Sequence, residues 1–506
     1  MKVFSDELHQ LISNLSLSEK RYCSLFLKKH SAEGDNRYLR LFTILKEQEQ
    51  YDSEAAIKKL GLNKKQTHYS VLKKQLYEQL LDALHQYDLF TNPEQQLQRG
   101  IHQCHLLLQK GLFVQCEKRI KALGAMARDM NQYEAQLQLQ NLRMMMKARK
   151  YYRQESEEDL KKWWEETNSI LNSLATTNRF RYMGSLVYKM QYEAGGRGKE
   201  SAERMKKIVG QAEFSDEKLA TTLRSRLDYL QVRALYHFTN LETELAAEHN
   251  ERFLKLLDEN PLTMQLHADR YFSVLNNYLI DCLVLRKYKT LEEGLEKMRG
   301  LSKIPAFRRL GNFDANVFRL GYLLEMNYMI STGNFKQAYT RIGEIQKGLQ
   351  AFGDKIVKHN RLTLEYLAAY VCFALGKYDE ALDNIWPILQ EKETAVAEEI
   401  QLAARMMQLL CHFEKGDRLL LDSLIKALRR LLRKKDESAE IPKAVMSFIN
   451  VSLRSQYLHP QQWIDLEKKL EKLAQNRTMA GSLNLFQYIT WVKAHVQQKK
   501  FAELWN

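Results

Sequence analysis

The chain has 506 residues, of which 45% are hydrophobic and 27% are charged, a composition that excludes disorder over most of its length. Lys and Arg number 77 against 62 Asp and Glu, so the formal charge is +15, which favours an acidic partner such as nucleic acid, an acidic protein surface or anionic lipid. Only six prolines and 21 glycines interrupt a chain rich in strong helix formers, and the sequence therefore predicts an all-α protein.

The cysteines and the apolar runs indicate the cellular compartment in which the protein is expected to act. The six cysteines include no Cys-x-x-Cys pair, and several lie in apolar helical runs, as buried free thiols do. Residues 1–17 lack the long apolar core of a secretory signal, and the longest uncharged apolar run, 366–375, has ten residues, about half the length of a membrane-spanning helix. We therefore expect a cytoplasmic protein without a membrane span.

Residues 1–92 are predicted to form a separate N-terminal helical module, because a proline at position 93 disfavours helix for the residue before it. Five helices are expected, near residues 5–15, 18–30, 36–48, 52–60 and 63–87. The last of these helices has one apolar face, since leucines recur every four residues. These leucines are Leu72, Leu76, Leu80 and Leu84.

Residues 52–76 of this module faintly resemble a helix-turn-helix motif, with a short helix, Gly61 in the turn and a basic second helix. The lysines that would contact nucleic acid are Lys64, Lys65, Lys73 and Lys74. Against this, Ile57 occupies the motif's usual small-residue position, and residues 1–95 hold 14 basic and 13 acidic residues, so the module lacks the positive field of a DNA-binding domain. The alternative is a helical cap with solvated lysines.

From residue 94 onward the pattern indicates pairs of helices joined by tight turns. An apolar run leads into a glycine, an aromatic residue follows two positions later, and an alanine follows three positions after that. Glycine supplies the backbone freedom of the turn, the aromatic ring fills the cleft between the helices, and alanine lets them cross closely. The two clearest copies, 43 residues apart, are Gly333, Phe335 and Ala338, and Gly376, Tyr378 and Ala381.

Further turns follow the same pattern less completely. Gly111 and Gly416 mark two of them, with Cys116 and Leu421 in place of the alanine. Residues 237–240 and 286–288 look like turns that have lost their glycine. Pro261 and Pro305 should each end a helical segment, and Pro387 should kink its helix or end it early.

The turn pattern resembles the tetratricopeptide repeat (TPR) family. This resemblance implies a right-handed superhelical solenoid of antiparallel helix pairs, about ten of them, behind the N-terminal module. Repeats would be degenerate over residues 93–300 and clearer over 301–506. The spacing of 40 to 43 residues exceeds the family's usual length of about 34, so another helical-repeat class stays open. The resemblance also implies a concave groove for an extended or helical peptide.

No residue set has the spacing of a catalytic, cofactor or metal site. The glycine-rich loop 194–199 has Glu193 and Glu200 where a phosphate-binding loop needs Gly and Ser or Thr. His102 and His105 share a helix face, but Cys104 points elsewhere. Cys411 and His412 diverge too far for a catalytic pair. We expect a surface loop and packed core residues, and a protein that is not an enzyme and needs no cofactor or metal.

Two basic helix faces are candidate partner-binding surfaces. The first lies opposite an apolar stripe and consists of Lys426, Arg429, Arg430, Arg433 and Lys434. The second lies beside two tyrosines, as suits single-stranded nucleic acid, and consists of Arg143, Lys147 and Lys150. Trp163-Trp164 should place one ring in the core and the other near the surface. Alternatively, each basic face is exposed to solvent and binds no partner.

These features favour a non-catalytic helical-repeat scaffold or adaptor that binds a protein or peptide partner, expected to be acidic. The alternative is a nucleic-acid-binding regulator, in which residues 52–76 touch DNA and the repeats sense a ligand or peptide. The sequence does not determine the oligomeric state.

Overall fold

A computed structural model of the protein describes residues 6–29, 37–62, 66–193, 199–211, 214, 216–391, 398–432, 440–453, 459–475 and 486–505. Within these ranges every regular element is helical: there are 25 α-helices and four short 3-10 helices, and no strand. The predicted all-α class is confirmed. None of the described helices combines the length and the apolar character that crossing a bilayer would require.

The chain divides into two compact units, residues 1–287 with 296–313, and residues 288–295 with 314–506. Helix α15, Tyr288–Gly300, contributes to both. The other helices of the first unit are α1 Glu7–Asn14, α2 Leu17–Lys29, α3 Arg37–Lys46, α4 Ser53–Leu60, α5 Gln66–Thr91, α6 Pro93–Gln109, α7 Phe113–Asp129, α8 Tyr133–Ala148, α9 Glu157–Glu193, α10 Lys199–Val209, α11 Leu223–Thr239, α12 Thr243–Asp258, α13 Pro261–Leu266, α14 Ala268–Val284 and α16 Pro305–Arg308.

The helices of the second unit follow from residue 313 onward. They are α17 Phe313–Ser331, α18 Phe335–Phe352, α19 Lys358–Ala374, α20 Tyr378–Gln390, α21 Glu398–Lys415, α22 Arg418–Leu432, α23 Glu440–Ser452, α24 Pro460–Ala474 and α25 Tyr488–Gln497. Near the C-terminus, residues Phe501–Leu504 form a 3-10 helix.

Helices α1–α5 lie close to the five predicted N-terminal helices and share a hydrophobic cluster of their own. Asp52 begins α4 as its N-cap, where its carboxylate accepts hydrogen bonds from the Glu54 and Ala55 amides at 2.9 and 3.0 Å. On α5 the predicted apolar face is confirmed, because Leu76 and Leu80 are fully buried. Packing of this stripe against α2 and α3 is what holds the N-terminal helices together.

Helices that are neighbours in sequence pack against each other in both units. In the first unit α6 packs on α7 and α8, α8 on α9, and α12 on both α11 and α14. In the second unit α19 packs on α20, α20 on α21 and α21 on α22. The small residues predicted for close crossings, Ala338 and Ala381, are fully buried. Close packing of neighbours is what the repeat pattern requires, because one helix pair cannot bury both of its apolar faces alone.

The turns between these helices share one backbone geometry. One residue has a positive φ, its amide bonds to the carbonyl three residues back, and the next amide bonds to the carbonyl five residues back, which is a Schellman motif. The positive-φ residues of seven such turns are Gly111, Asn131, Leu241, Arg286, Gly333, Gly376 and Gly416. The turns predicted without glycine, near 237–240 and 286–288, therefore keep the geometry with Leu241 and Arg286 in its place.

The prolines begin helices more often than they disturb them. Pro93, Pro261 and Pro305 lie in the first turn of α6, α13 and α16, where a missing amide hydrogen costs nothing. Pro387 lies inside α20, which continues to Gln390. The helix therefore continues for three residues past the proline and has buried side chains on both sides of it, Ile385 and Ile388.

Candidate interaction surfaces

The basic face of α22 is exposed as far as the structure describes it. Lys426, Arg429 and Arg430 are exposed, while the opposite side of the helix buries the predicted stripe through Leu421, Ile425, Leu428 and Leu432. Arg433 and Lys434 lie outside the described residues. Asp422 pairs with Lys426 at 2.6 Å, so an acid one turn earlier partly neutralises this face. The described positive charge is therefore concentrated on Arg429 and Arg430.

The basic face of α8 is largely neutralised within the protein. Arg143 lies 3.6 Å from Glu117 on α7, and Lys147 forms a 2.5 Å ion pair with Glu155. Lys150 holds its ammonium 5.2 Å from the ring centre of Phe113. Residues 135–154 contain no Asp or Glu, but Glu117 and Glu155 lie outside this stretch, so these contacts leave less free charge for a ligand than the local sequence indicates.

Aromatic side chains beside α8 are more accessible. The Tyr151 side chain is 80% exposed, and Trp164 is 66% exposed. Trp163 is half-buried, with the Lys147 ammonium 5.8 Å from its ring centre. The exposure of Trp164 agrees with the expectation, but Trp163 is half-buried and does not lie in the core.

The helix-turn-helix resemblance corresponds to α4, Gly61 and the start of α5. Gly61 has φ of 69° and ends α4. Lys64 and Lys65 lie outside the described residues. Lys73 is only 8% exposed, and its ammonium donates to the Tyr51 hydroxyl at 2.9 Å. Among the candidate lysines that the structure describes, Lys74 is exposed and Lys73 is not.

A groove on the surface of α6 and α7 was not predicted from the sequence. It has a volume of about 650 Å³. Its apolar lining comes from Leu106, Leu107 and Ala122, and its charged lining from Lys110, Lys118 and Arg119, with no carboxylate. Residues 101–150 hold nine Lys and Arg against three Asp and Glu, so the groove lies in a strongly basic stretch.

The cations of this groove differ in what holds them. The Arg119 guanidinium donates to the side-chain carbonyl of Gln103. Lys110 and Lys118 are exposed and form no ion pair within the described part of the chain. The groove therefore presents an apolar strip flanked by two ammonium groups that have no counter-ion among the described residues, which suits a ligand that is apolar on one side and acidic on its edges.

A second unpredicted feature is a cleft of about 950 Å³ in the second unit. It lies between the turns at Gly333 and Gly376 and the C-terminal segment, which consists of α25 and the residues that follow it to 505. The segment brings aromatic rings onto the turns: the Trp505 indole donates to the Ser331 carbonyl at 3.2 Å. Phe335 lies 5.3 Å from Trp505 between ring centres. Phe335, predicted to fill the cleft between its helices, therefore also packs against a ring 170 residues further along the chain.

Glu414 anchors the same segment from within the cleft. Its carboxylate accepts from the Trp491 indole and from His495, both at 2.7 Å. His495 also stacks on Trp463 with 4.0 Å between ring centres. A carboxylate with two such donors is committed to holding α25 in place, so we assign Glu414 a structural role.

The groups considered for metal or nucleophilic chemistry are dispersed. No cluster of three or more His, Cys, Asp or Glu side chains in the described ranges is placed to hold a metal ion. Cys104 is buried as expected, but His102 and His105 are exposed on α6, so the expectation that they pack in the core is wrong. All six cysteines are buried free thiols, and burial raises the pKa of Cys104 to about 11 and that of Cys372 to about 12, which keeps both protonated at neutral pH.

The chain has no match among known protein families. Comparison with curated proteins and with solved structures also finds none. The likeness to the TPR family therefore rests on the turn residues themselves.

Proposed function

We propose that the protein is a non-catalytic helical-repeat adaptor that binds an acidic amphipathic segment of a partner protein. Its repeats would form a TPR-like right-handed solenoid of antiparallel helix pairs, and we place its action in the cytoplasm, where its buried thiols stay reduced. The recurring Schellman turns, spaced 40 to 47 residues apart from Leu241 to Gly416, support the repeat architecture.

The observation that carries the proposal is the α6–α7 groove. An acidic helix with one apolar face would lay its leucines on Leu106, Leu107 and Ala122. Its carboxylates would then reach Lys110 and Lys118, which have no internal partner in the described chain. Nucleic acid would gain from the charge, but its bases stack best on aromatic rings, and the apolar strip is aliphatic, so the combination favours protein over nucleic acid.

The proposal is tested with a labelled amphipathic peptide that has leucines at helical spacing and glutamates on its other face. Fluorescence anisotropy should show saturable binding that weakens as salt rises, because the charge pairs are solvent-exposed. The double variant Lys110→Glu with Lys118→Glu should bind at least about tenfold more weakly, since repulsion replaces attraction on both edges.

The matched control is Arg99→Glu with Lys121→Glu. It reverses one exposed cation on each of the same two helices, outside the groove lining, and should leave the affinity within about twofold of that of the unaltered protein. Equal loss in both double variants would mean that net charge alone attracts the peptide, and the groove would then have no specific role.

The alternative, a nucleic-acid-binding regulator, has the α4–Gly61–α5 geometry in its favour. The burial of Lys73 counts against it. If this alternative is correct, retention on a random oligonucleotide column should be abolished by the combined changes Lys64→Glu, Lys65→Glu and Lys74→Glu. Retention that survives these changes but is lost with Arg429→Glu and Arg430→Glu would place the nucleic-acid contact on α22.

A further inference from the structure

A second cavity in the first unit has a different chemical character from the basic surfaces. It lies among α9, α11, α12 and α14 and has a volume of about 510 Å³, within the range of small-molecule sites. Among the residues that line it, Asp281 carries the one carboxylic acid, and none is Lys, Arg or His. In a chain of charge +15, this cavity is a local negative site.

Asp281 forms a buried anionic group in the wall of this cavity. Its side chain is only 2% exposed. The carboxylate accepts a hydrogen bond from the Asn250 amide at 2.8 Å. A carboxylate can accept about four hydrogen bonds, so a buried one held by a single neutral donor is poorly compensated and gains from a cation.

The rest of the wall is suited to an organic cation rather than a bare ion. Tyr188 and Phe238 supply aromatic rings, and Leu235 supplies an aliphatic surface. Aromatic faces attract ammonium and guanidinium groups and also pack against their carbon chains. Gln231 is already engaged, because its side-chain carbonyl accepts from Arg270 at 2.7 Å.

We propose that this cavity binds a small organic cation, an alkylammonium or guanidinium group whose charge pairs with Asp281 and whose carbon chain packs on Leu235, Tyr188 and Phe238. The group would be that of a free amine, with a lysine or arginine side chain of a peptide as the other source of the same chemistry. This site is separate from the α6–α7 groove and does not depend on the proposed adaptor function.

Protonation of Asp281 gives the proposal a second readout. Burial raises the pKa of Asp281 to about 6 in the free protein. Among the ionisable groups nearby, burial also raises the pKa of Asp228, whose carboxylate pairs with Arg270 at 2.8 Å. Burial raises the pKa of Tyr188 to about 12, and Glu251 on α12 is exposed. The Asp281→Asn variant therefore shows which part of the pH dependence belongs to Asp281. Since only the ionised carboxyl attracts a cation, affinity should fall about tenfold for each pH unit below 6.

The experiment is isothermal titration of the full-length protein at neutral pH with agmatine and putrescine. Butanol and butyrate serve as neutral and anionic probes of similar length, and a blocked Gly-Arg-Gly peptide serves as the side-chain source. Agmatine or putrescine should bind at least about tenfold more tightly than butanol or butyrate, and Asp281→Asn should weaken that binding at least about tenfold. Glu244→Gln, which removes an exposed charge on α12, should change nothing.

Asp281→Asn keeps the size of the side chain and an oxygen for Asn250, so we expect it to fold. Ile280→Lys is a second variant, which would place the protein's own ammonium at the cavity wall and should exclude the amine. Tighter binding of the tripeptide than of either amine would identify a peptide side chain as the ligand. The proposal is overturned if neither amines nor peptide bind at about 10 mM, or if Asp281→Asn binds them as well as the unaltered protein does.

Discussion

At the residue scale, the repeat turns depend on one backbone position. A residue with a side chain pays about 1–2 kcal/mol to adopt the left-handed conformation, and glycine avoids this cost. Asn131, Leu241 and Arg286 nevertheless hold φ between 53° and 61°. The hydrogen bonds and helix packing on both sides of the turn compensate the strain at these three positions, which is why the pattern is harder to find in the first unit.

Alanine substitutions at two glycines distinguish the effect of backbone strain from that of steric crowding. Gly376→Ala should lower the free energy of unfolding by about 1 kcal/mol, because a methyl group there meets nothing within 4 Å and only the backbone cost remains. At Gly333 the added methyl would lie 3.0 Å from Trp505, so Gly333→Ala should also displace that indole. Urea denaturation checks the stability of both variants, and tryptophan fluorescence should change for Gly333→Ala alone.

At the element scale, a helix's own periodicity describes its faces but not the partners of its charges. Arg143 and Lys147 lie four residues apart on α8, yet Glu117 on α7 and Glu155 beyond the helix pair with them. The groove on α6 and α7 arises from the opposite situation, in which neighbouring helices bring cations together without acids. Neither outcome can be read from one helix, because each depends on which side chains the turns bring side by side.

The C-terminal segment is the element that long-range packing determines most strongly. Phe501 is 7% exposed, and its ring centre lies 5.8 Å from those of Phe373, Phe486 and Trp505. Tyr370 lies 6.1 Å away by the same measure. These rings cover the turns that precede α18 and α20.

Phe501→Ala should lower the free energy of unfolding by about 3 kcal/mol, because it leaves a cavity among these rings. Binding of a hydrophobic dye should rise as the aromatic surface of the turns becomes accessible. Phe90→Ala removes an equal side chain that is 71% exposed and should change stability by less than about 0.5 kcal/mol. Equal effects of the two substitutions would contradict the packing described for the C-terminal segment.

At the scale of the whole molecule, the boundary between the two units falls inside a helix. The first half of α15 belongs with the second unit, where Tyr288 lies 5.1 Å from Tyr328 between ring centres. The Tyr328 hydroxyl donates to Glu292 at 2.7 Å. A fragment cut at the apparent helix-pair boundary after residue 313 would lose both contacts.

A fragment of residues 288–506 should therefore fold with a cooperative thermal transition, since it keeps the hydrophobic cluster of the second unit. A fragment of residues 314–506 should be less stable by about 1 kcal/mol, the worth of the lost ring contact and of a solvent-exposed hydrogen bond. Circular dichroism melts of the two fragments make the comparison. Identical melting curves would show that α15 contributes nothing to the second unit.

The sequence by itself determined the helical class, the positions of the five N-terminal helices, the turns at Gly111, Gly333, Gly376 and Gly416, and the buried stripe of α22. These follow from local preferences, in which helix periodicity and glycine conformation act over a few residues. Only the tertiary structure decided that Lys73 is buried, that α8 is neutralised, that Lys110 and Lys118 flank a groove, and that Asp281 lies alone in a cavity. Burial and charge pairing depend on residues distant in sequence, and a single helix does not contain that information.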